Sequence, residues 1–367
     1  MGVGKKLIFN LTPIFYIKFM IPVITSIFSC FLLIASVAFG AEMMIGGTTR
    51  YTVQKGDRLE LIGAKLGVFW KNIAKENNLD PKAPCVPGQE LKVNTRKIVP
   101  QIIEDGIIVN IADRTLYFFK MGKLTTYPVG VGLAREDEFG DWRTPTGKFV
   151  VVGKRKNPTW SVPESIQLEM AFKGREVEET VPPGPKNPLG RYAIQTSIPG
   201  VLIHETIWPA SVYRFQSHGC VRMLPEHIEK LFEEVEKGTK GEIIYEPVKV
   251  LITQDGKPYL EVRTDTYKRI SSLRDRVWKL IDERGIRDKV DAVRVEQTIK
   301  DESGIAEDIA LYPKEGPASY MTKTLYQKFF DFFKPRPKNE KKSSELPRSS
   351  ISQSLLQGGF ARQLMAG

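Results

Sequence analysis

Cysteine and histidine are scarce in this chain of 367 residues, with three of each. Three cysteines, Cys30, Cys85 and Cys220, are too few for a disulfide framework, and the odd count leaves at least one thiol free. Acidic side chains are also short, 43 against 54 Lys and Arg, for a net charge of +11. That surplus favours an anionic partner (a polymer, a membrane surface or nucleic acid) or serves solubility alone, and it is silent about fold. Hydrophobic residues reach 41% and aromatics 10%, enough to pack two or three modest domains.

Charge is missing altogether from residues 19–39, which follow Lys5, Lys6 and Lys18. Twenty-one uncharged residues can cross a bilayer as a helix. Ala38 and Gly40 precede Ala41 at a spacing that suits cleavage. A cleaved signal peptide over 1–41 and an uncleaved anchor in the inner membrane both fit, and either exports the rest to the periplasm or cell envelope. Cys30 lies in this run, without a lipoprotein context because Ile27 stands where Leu is expected. Export and the lack of any nucleic-acid-binding motif argue against nucleic acid as the partner.

Residues 50–95 read as a small βααβ unit. Tyr51-Thr52-Val53 is a strand, Asp57 an expected helix N-cap, and Leu59, Ile62 and Leu66 have helical spacing. A second helix carries Phe69, Ile73 and Ala74 and ends at Asn77-Asn78, and Pro87-Gly88 turns into the strand 91–93. Residues 104–247 are rich in strand-like runs, at 106–112, 115–120, 124–131, 148–152, 192–194 and 201–203. The spacing predicts a mainly β domain, an antiparallel sheet or sandwich with one or two helices. The evident helix follows Pro225, with Ile228, Leu231, Phe232 and Val235 on one stripe and His227 on its polar face. An α+β extension is expected over 248–312, with a hairpin at Asp255-Gly256 and helices near 266–284 and 289–300. Residues 330–367 are polar and basic and read as a disordered tail.

Two of the three histidines stand within sixteen positions before Cys220. A cysteine nucleophile needs a base to become thiolate and backbone N–H groups to hold an oxyanion. Ser217-His218-Gly219-Cys220 offers both, with the amides of Gly219 and Cys220 as candidate donors and His204 at the end of a strand-like run. A zinc site from His204, His218 and Cys220 is the competing reading, but the spacing fits no metal pattern, so no metal or other cofactor is expected.

The segment from His204 to Cys220 resembles the signature of the L,D-transpeptidase (YkuD-type) family. Thr144-Pro145-Thr146-Gly147-Lys148-Phe149 is similar to its TPTGxF turn. Gly184-Pro185, Asn187-Pro188-Leu189-Gly190 and Tyr192 are similar to its GPxNPLGxY stretch. The unit at 50–95 resembles the glycan-binding LysM module through Tyr51-Thr52-Val53, Lys55-Gly56-Asp57, Asn77-Asn78-Leu79 and Pro87-Gly88-Gln89.

The resemblance implies a peptidoglycan enzyme. Cys220 would be the nucleophile, His204 the proton carrier oriented by the carbonyl of Glu205, and His218 and Gly219 part of the oxyanion region. Arg222, Ser217 and Tyr192 would contact substrate. The partners implied are glycan strands and stem peptides. The acyl acceptor would be another stem peptide or the lysine of a wall-anchored protein. Water as acceptor would make a carboxypeptidase, and a dead site would leave a wall-binding scaffold.

Overall fold

The computed structural model describes residues 1–2 and 43–312. The export segment, Cys30 and the basic tail lie outside the described residues. The described residues from Met43 to Tyr312 belong to one compact unit.

The first layer is small. Strands β1 (Met44–Ile45), β2 (Thr48–Thr52), β3 (Glu90–Asn94) and β4 (Lys97–Ile98) flank helices α1 (Leu59–Leu66) and α2 (Trp70–Glu76). β2 pairs antiparallel with β3, and β1 with β4. Apolar residues at helical spacing, among them Leu59, Ile62 and Ile73, close a core with Val53, Leu91 and Val93. α1 stops at Gly67, whose φ of 65° suits a residue without a Cβ. Asp57 does not cap α1. Arg58 occupies that position, and the Asp57 carboxylate instead accepts from Tyr51 Oη, the Gln54 amide and Lys65 Nζ at 2.7, 2.8 and 2.9 Å.

Thirteen further strands and two helices build the middle of the unit. In chain order they are β5 (Gly106–Asn110), β6 (Thr115–Lys120), β7 (Lys123–Gly132), β8 (Glu136–Asp137), β9 (Gly140–Asp141), β10 (Gly147–Lys156) and β11 (Trp160–Ser161). Then come α3 (Glu164–Phe172), β12 (Thr180–Val181), β13 (Tyr192–Thr196), β14 (Leu202–Glu205), β15 (Phe215–Ser217), β16 (Val221–Met223), α4 (Pro225–Glu234) and β17 (Lys240–Ile244). Nine of these strands form one sheet in the order β15-β7-β16-β14-β13-β10-β17-β5-β6, and β6 also pairs with β7, so the sheet closes on itself. Closure removes the exposed edges that a flat sandwich would leave. Most pairings are antiparallel, but β14–β16, β17–β5 and β15–β7 are parallel. The interior is apolar, with Ile107, Val109, Leu116, Val129, Ile194, Ile203 and Met223 buried and α4 closing one side through Ile228 and Leu231.

A third layer follows: β18 (Val248–Ile252), β19 (Pro258–Val262), α5 (Leu273–Glu283), α6 (Ala292–Asp301) and β20 (Glu307–Asp308). Its hairpin turns at Asp255-Gly256. α5 and α6 begin at Ser272 and Asp291, whose side chains accept from backbone amides in the first turn. No helix among the described residues is long and apolar enough to cross a membrane.

The three layers meet over buried charge. Lys97 from β4, Asp113 from the turn after β5, and Lys249, Glu261 and Arg263 from β18 and beyond are each less than 9% exposed. Lys249 Nζ lies 2.8 Å from Asp113 and 3.0 Å from Glu261, and Arg263 Nε lies 2.8 Å from Glu261. The other Glu261 oxygen accepts the Ile98 amide at 2.7 Å. Buried charge is costly unless paired, and Asp113, Lys249, Glu261 and Arg263 are paired in this way, whereas Lys97 Nζ donates to Thr115 Oγ1 at 2.9 Å.

Candidate active site

The parallel pairing of β14 with β16 sets Ile203 beside Val221 and His204 beside Arg222. Cys220, one residue before β16, thus lies level with Leu202, whose side chain shares a strand face with that of His204. Both His204 and Cys220 line one cavity of about 350 Å³, together with Ser217, His218 and Arg222.

The sulfur is held lightly. It accepts from the Leu202 amide at 3.5 Å and donates to the Gly200 carbonyl at 3.4 Å. Burial pushes the thiol above its ordinary range, against the opposing effects of the Leu202 amide and the Arg222 charge. His204 is only 4% exposed. Its Nδ1 lies 2.6 Å from the Glu205 carbonyl oxygen, which can only accept, so Nδ1 carries the hydrogen and Nε2 keeps a lone pair. Burial and then the Arg222 charge hold its pKa down to about 4, although the carbonyls of Glu205 and Leu189 favour the protonated ring. At neutral pH the thiol and the imidazole that line this cavity are therefore both neutral. Alkylation of Cys220 by iodoacetamide, read by peptide mass mapping, should accordingly be slow at pH 7. It should climb about tenfold per pH unit and still be rising at pH 9. A plateau below pH 8 would mean a thiolate already formed.

Each neighbour has a local cause. Ser217 Oγ donates to the Cys220 carbonyl at 2.6 Å and accepts the Gly219 amide at 3.2 Å, which ties the turn that presents the sulfur. Gly219 stands at φ +105°, a conformation only glycine enters cheaply. Its amide, one of the two candidate oxyanion donors, is thereby engaged by Ser217 Oγ in the resting structure. His218 stacks on Trp142 with ring centroids 3.7 Å apart, and its Nε2 lies 3.2 Å from Glu169. Burial lowers the His218 pKa despite that carboxylate. Arg222 forms no ion pair with any described residue and lies over the Trp208 ring at 5.8 Å.

Two further expectations need correcting. Tyr192 does not line the cavity: it packs against Phe232 in the barrel core, and its hydroxyl donates to Glu229 at 2.7 Å. His227 is not a free surface residue. Its ring packs on Tyr127, and its Nδ1 is buried without a partner. Glu205 sends its side chain to Arg191, accepting from the Arg191 amide at 3.1 Å, so that its carbonyl alone faces His204.

The segment over the cavity was not foreseen. β11, α3 and β12 form a cover, from which Trp160, Ile166, Glu169, Met170 and Lys173 line the space. Pro163 before an acidic first turn was the available signal. Asn187 anchors the end of the cover. It donates to the Pro158 and Val181 carbonyls at 2.8 and 3.1 Å and accepts the Leu189 amide at 2.9 Å. Gly190 follows at φ +64°, where a Cβ would lie 2.6 Å from the Glu205 side chain. Gly190→Ala should therefore cost about 2 kcal/mol of stability in denaturant titration, and an unchanged midpoint would refute that reading. On the other side, Thr144 Oγ1 accepts the Gly132 amide at 2.8 Å, and Tyr267 of the third layer donates to the Gly132 carbonyl at 2.7 Å. Among the described residues no group of three or more His, Cys, Asp or Glu could hold a metal ion.

A family model described as the L,D-transpeptidase catalytic domain matches residues 104–250, and a LysM domain model matches 51–94. The chain is 33% identical over 233 residues to the "Probable L,D-transpeptidase YcfS" of Escherichia coli K12, covering 62% of this chain and 71% of that one. To the "Probable L,D-transpeptidase YbiS" of the same strain it is 32% identical over 226 residues, covering 60% and 71%. To "Probable L,D-transpeptidase ErfK/SrfK", again of that strain, it is 33% identical over 209 residues, covering 56% and 64%. The chain belongs to the L,D-transpeptidase family, a class of acyltransferases, and carries a LysM domain ahead of its catalytic domain.

Proposed function

We propose that this protein is an exported enzyme that remodels peptidoglycan through a thioester on Cys220. The observation that carries the reading is the shared cavity of Cys220 and His204, with the His204 hydrogen fixed on Nδ1 by the Glu205 carbonyl. A neutral imidazole is the form able to take a proton. As a tetrapeptide stem enters, Nε2 removes the Cys220 proton and the sulfur attacks the carbonyl of the third residue. The Cys220 amide faces the oxyanion that forms. The peptide C–N bond then breaks, the imidazolium proton goes to the leaving D-alanine nitrogen, and the acyl group stays on sulfur. An acceptor amine attacks the thioester, loses its proton to His204 and restores the thiol.

Arg222, half-buried and without a carboxylate partner among the described residues, suits a substrate carboxylate. His218, Ser217 and Gly219 act on the turn that carries the sulfur. The LysM domain holds glycan, so that the stem peptides sit near the catalytic cavity, and the run at 19–39 directs export.

The test is intact-mass analysis after mixing the protein with disaccharide tetrapeptide. An adduct of donor minus D-alanine on Cys220 is expected, followed by cross-linked dimer on adding acceptor stem. Products shortened to tripeptide with no dimer would replace transfer by hydrolysis. A folded protein that never acquires the adduct would overturn the assignment.

A further inference from the structure

Any residue at position 205 would bring a carbonyl to His204. What is particular here is the course of the side chain. Glu205 is 6% exposed, and neither it nor Arg191 lines the cavity that holds Cys220. The side chain lies against Gly190, where a Cβ would come within 2.6 Å of both its Cβ and its Cγ. Its carboxylate accepts from the Arg191 amide at 3.1 Å and stands 3.3 Å from Arg191 Nε. Beyond it, Arg191 Nη2 lies 3.9 Å from Glu229, which also accepts from the Tyr192 hydroxyl. Leu189, just before Gly190, turns its own carbonyl to the His204 ring. The segment 189–192 thus packs on residue 205 from one side and reaches the imidazole from the other.

The two ties to Arg191 differ in weight. The Arg191 side chain is 53% exposed, so water screens its ion pair with Glu205. The bond from the Arg191 amide joins a main-chain donor to a buried carboxylate and is the stronger of the two.

We infer that the Glu205 side chain is a positioning residue: seated on Gly190 and tied to the Arg191 amide, it holds its own carbonyl against His204 Nδ1 and so keeps Nε2 free for the Cys220 proton. The inference rests on the mechanism proposed above. Releasing that carbonyl would let the ring turn over or carry its hydrogen on Nε2, and an Nε2 that bears a hydrogen cannot take another from sulfur.

Nitrogen-15 labelling of histidine tests this on the resting full chain, where only three histidines give signals. At pH 7 the unaltered protein should hold the His204 hydrogen on Nδ1 alone. Glu205→Ala should mix the two tautomers and lower kcat for D-alanine release about tenfold, with the donor KM changed by less than about twofold. Glu205→Gln still offers the Arg191 amide an oxygen, and should restore the single tautomer and most of the rate. Glu205→Met fills the space beside Gly190 without an acceptor, and takes the place of the alanine variant if that one does not fold. An unmixed tautomer or an unchanged kcat in the variant without an acceptor overturns the inference, as does a glutamine variant no better than it. The tautomer is read without substrate, so a missing Cys220 adduct would remove the thioester and leave this result to stand or fall by itself.

Discussion

Cys220→Ala should lower transfer from a tetrapeptide donor by at least about 10⁴-fold, because removing a nucleophile removes the covalent route and not one interaction among several. The fold should tolerate the change. The sulfur makes two long contacts, to Leu202 and Gly200. His204→Gln should cost less, about 10²- to 10⁴-fold, as expected for loss of a general base. On the proposed mechanism the two residues serve one step, so the double variant should be no worse than Cys220→Ala alone. Steady-state release of D-alanine measures all three, with near-ultraviolet circular dichroism to verify folding. Cys220→Ala retaining more than about 1% of the rate would place the nucleophile elsewhere.

The largest stability effect is expected far from that cavity. Glu261→Ala would leave Arg263 and Lys249 short of a carboxylate and the Ile98 amide without an acceptor. Losing one partner of a buried ionic cluster costs about 3–5 kcal/mol, a large fraction of the total stability of an ordinary domain. Glu261→Gln keeps an oxygen for Ile98 and should cost less. Urea titration followed by tryptophan fluorescence gives both values, and a loss below about 1 kcal/mol for the alanine variant would show that the cluster is not holding the layers. Ile98 lies just after the LysM domain, Asp113 in the catalytic barrel and Glu261 in the third layer. Destabilisation should therefore reach all three in one transition.

Local patterns made much of the barrel legible. The runs at 106–112, 115–120 and 124–131 are apolar and broken by Asp113-Arg114 and Met121-Gly122, and they fold as the hairpins β5–β6 and β6–β7. Cys220 and His204 stood out because scarce residue types gathered in one segment. The cover did not, because α3 lacks an apolar stripe: Leu168 and Phe172 are exposed, and its buried residue is Glu169. Asp57 misled for a related reason. A carboxylate before a helix reads as a cap, yet three partners outside the first turn claim it. Tyr192 was assigned by motif, and the motif does not reveal that Glu229 already engages its hydroxyl. The charge cluster was least visible. Lys97, Lys249 and Arg263 lie in strand-like sequence as ordinary surface cations would, and only the meeting of three layers buries them.

That buried junction governs how the enzyme can meet its polymer. A module on a flexible tether would sweep a volume and offer the sulfur any peptide within range. Here the module is bolted down by Lys97, Ile98 and the chain around them, so a strand held as proposed would not pivot. On the proposed function the protein would work as a caliper: the gap between gripped sugar and acylated peptide would be one fixed length, and the pattern of bonds made along a strand would be set by that length.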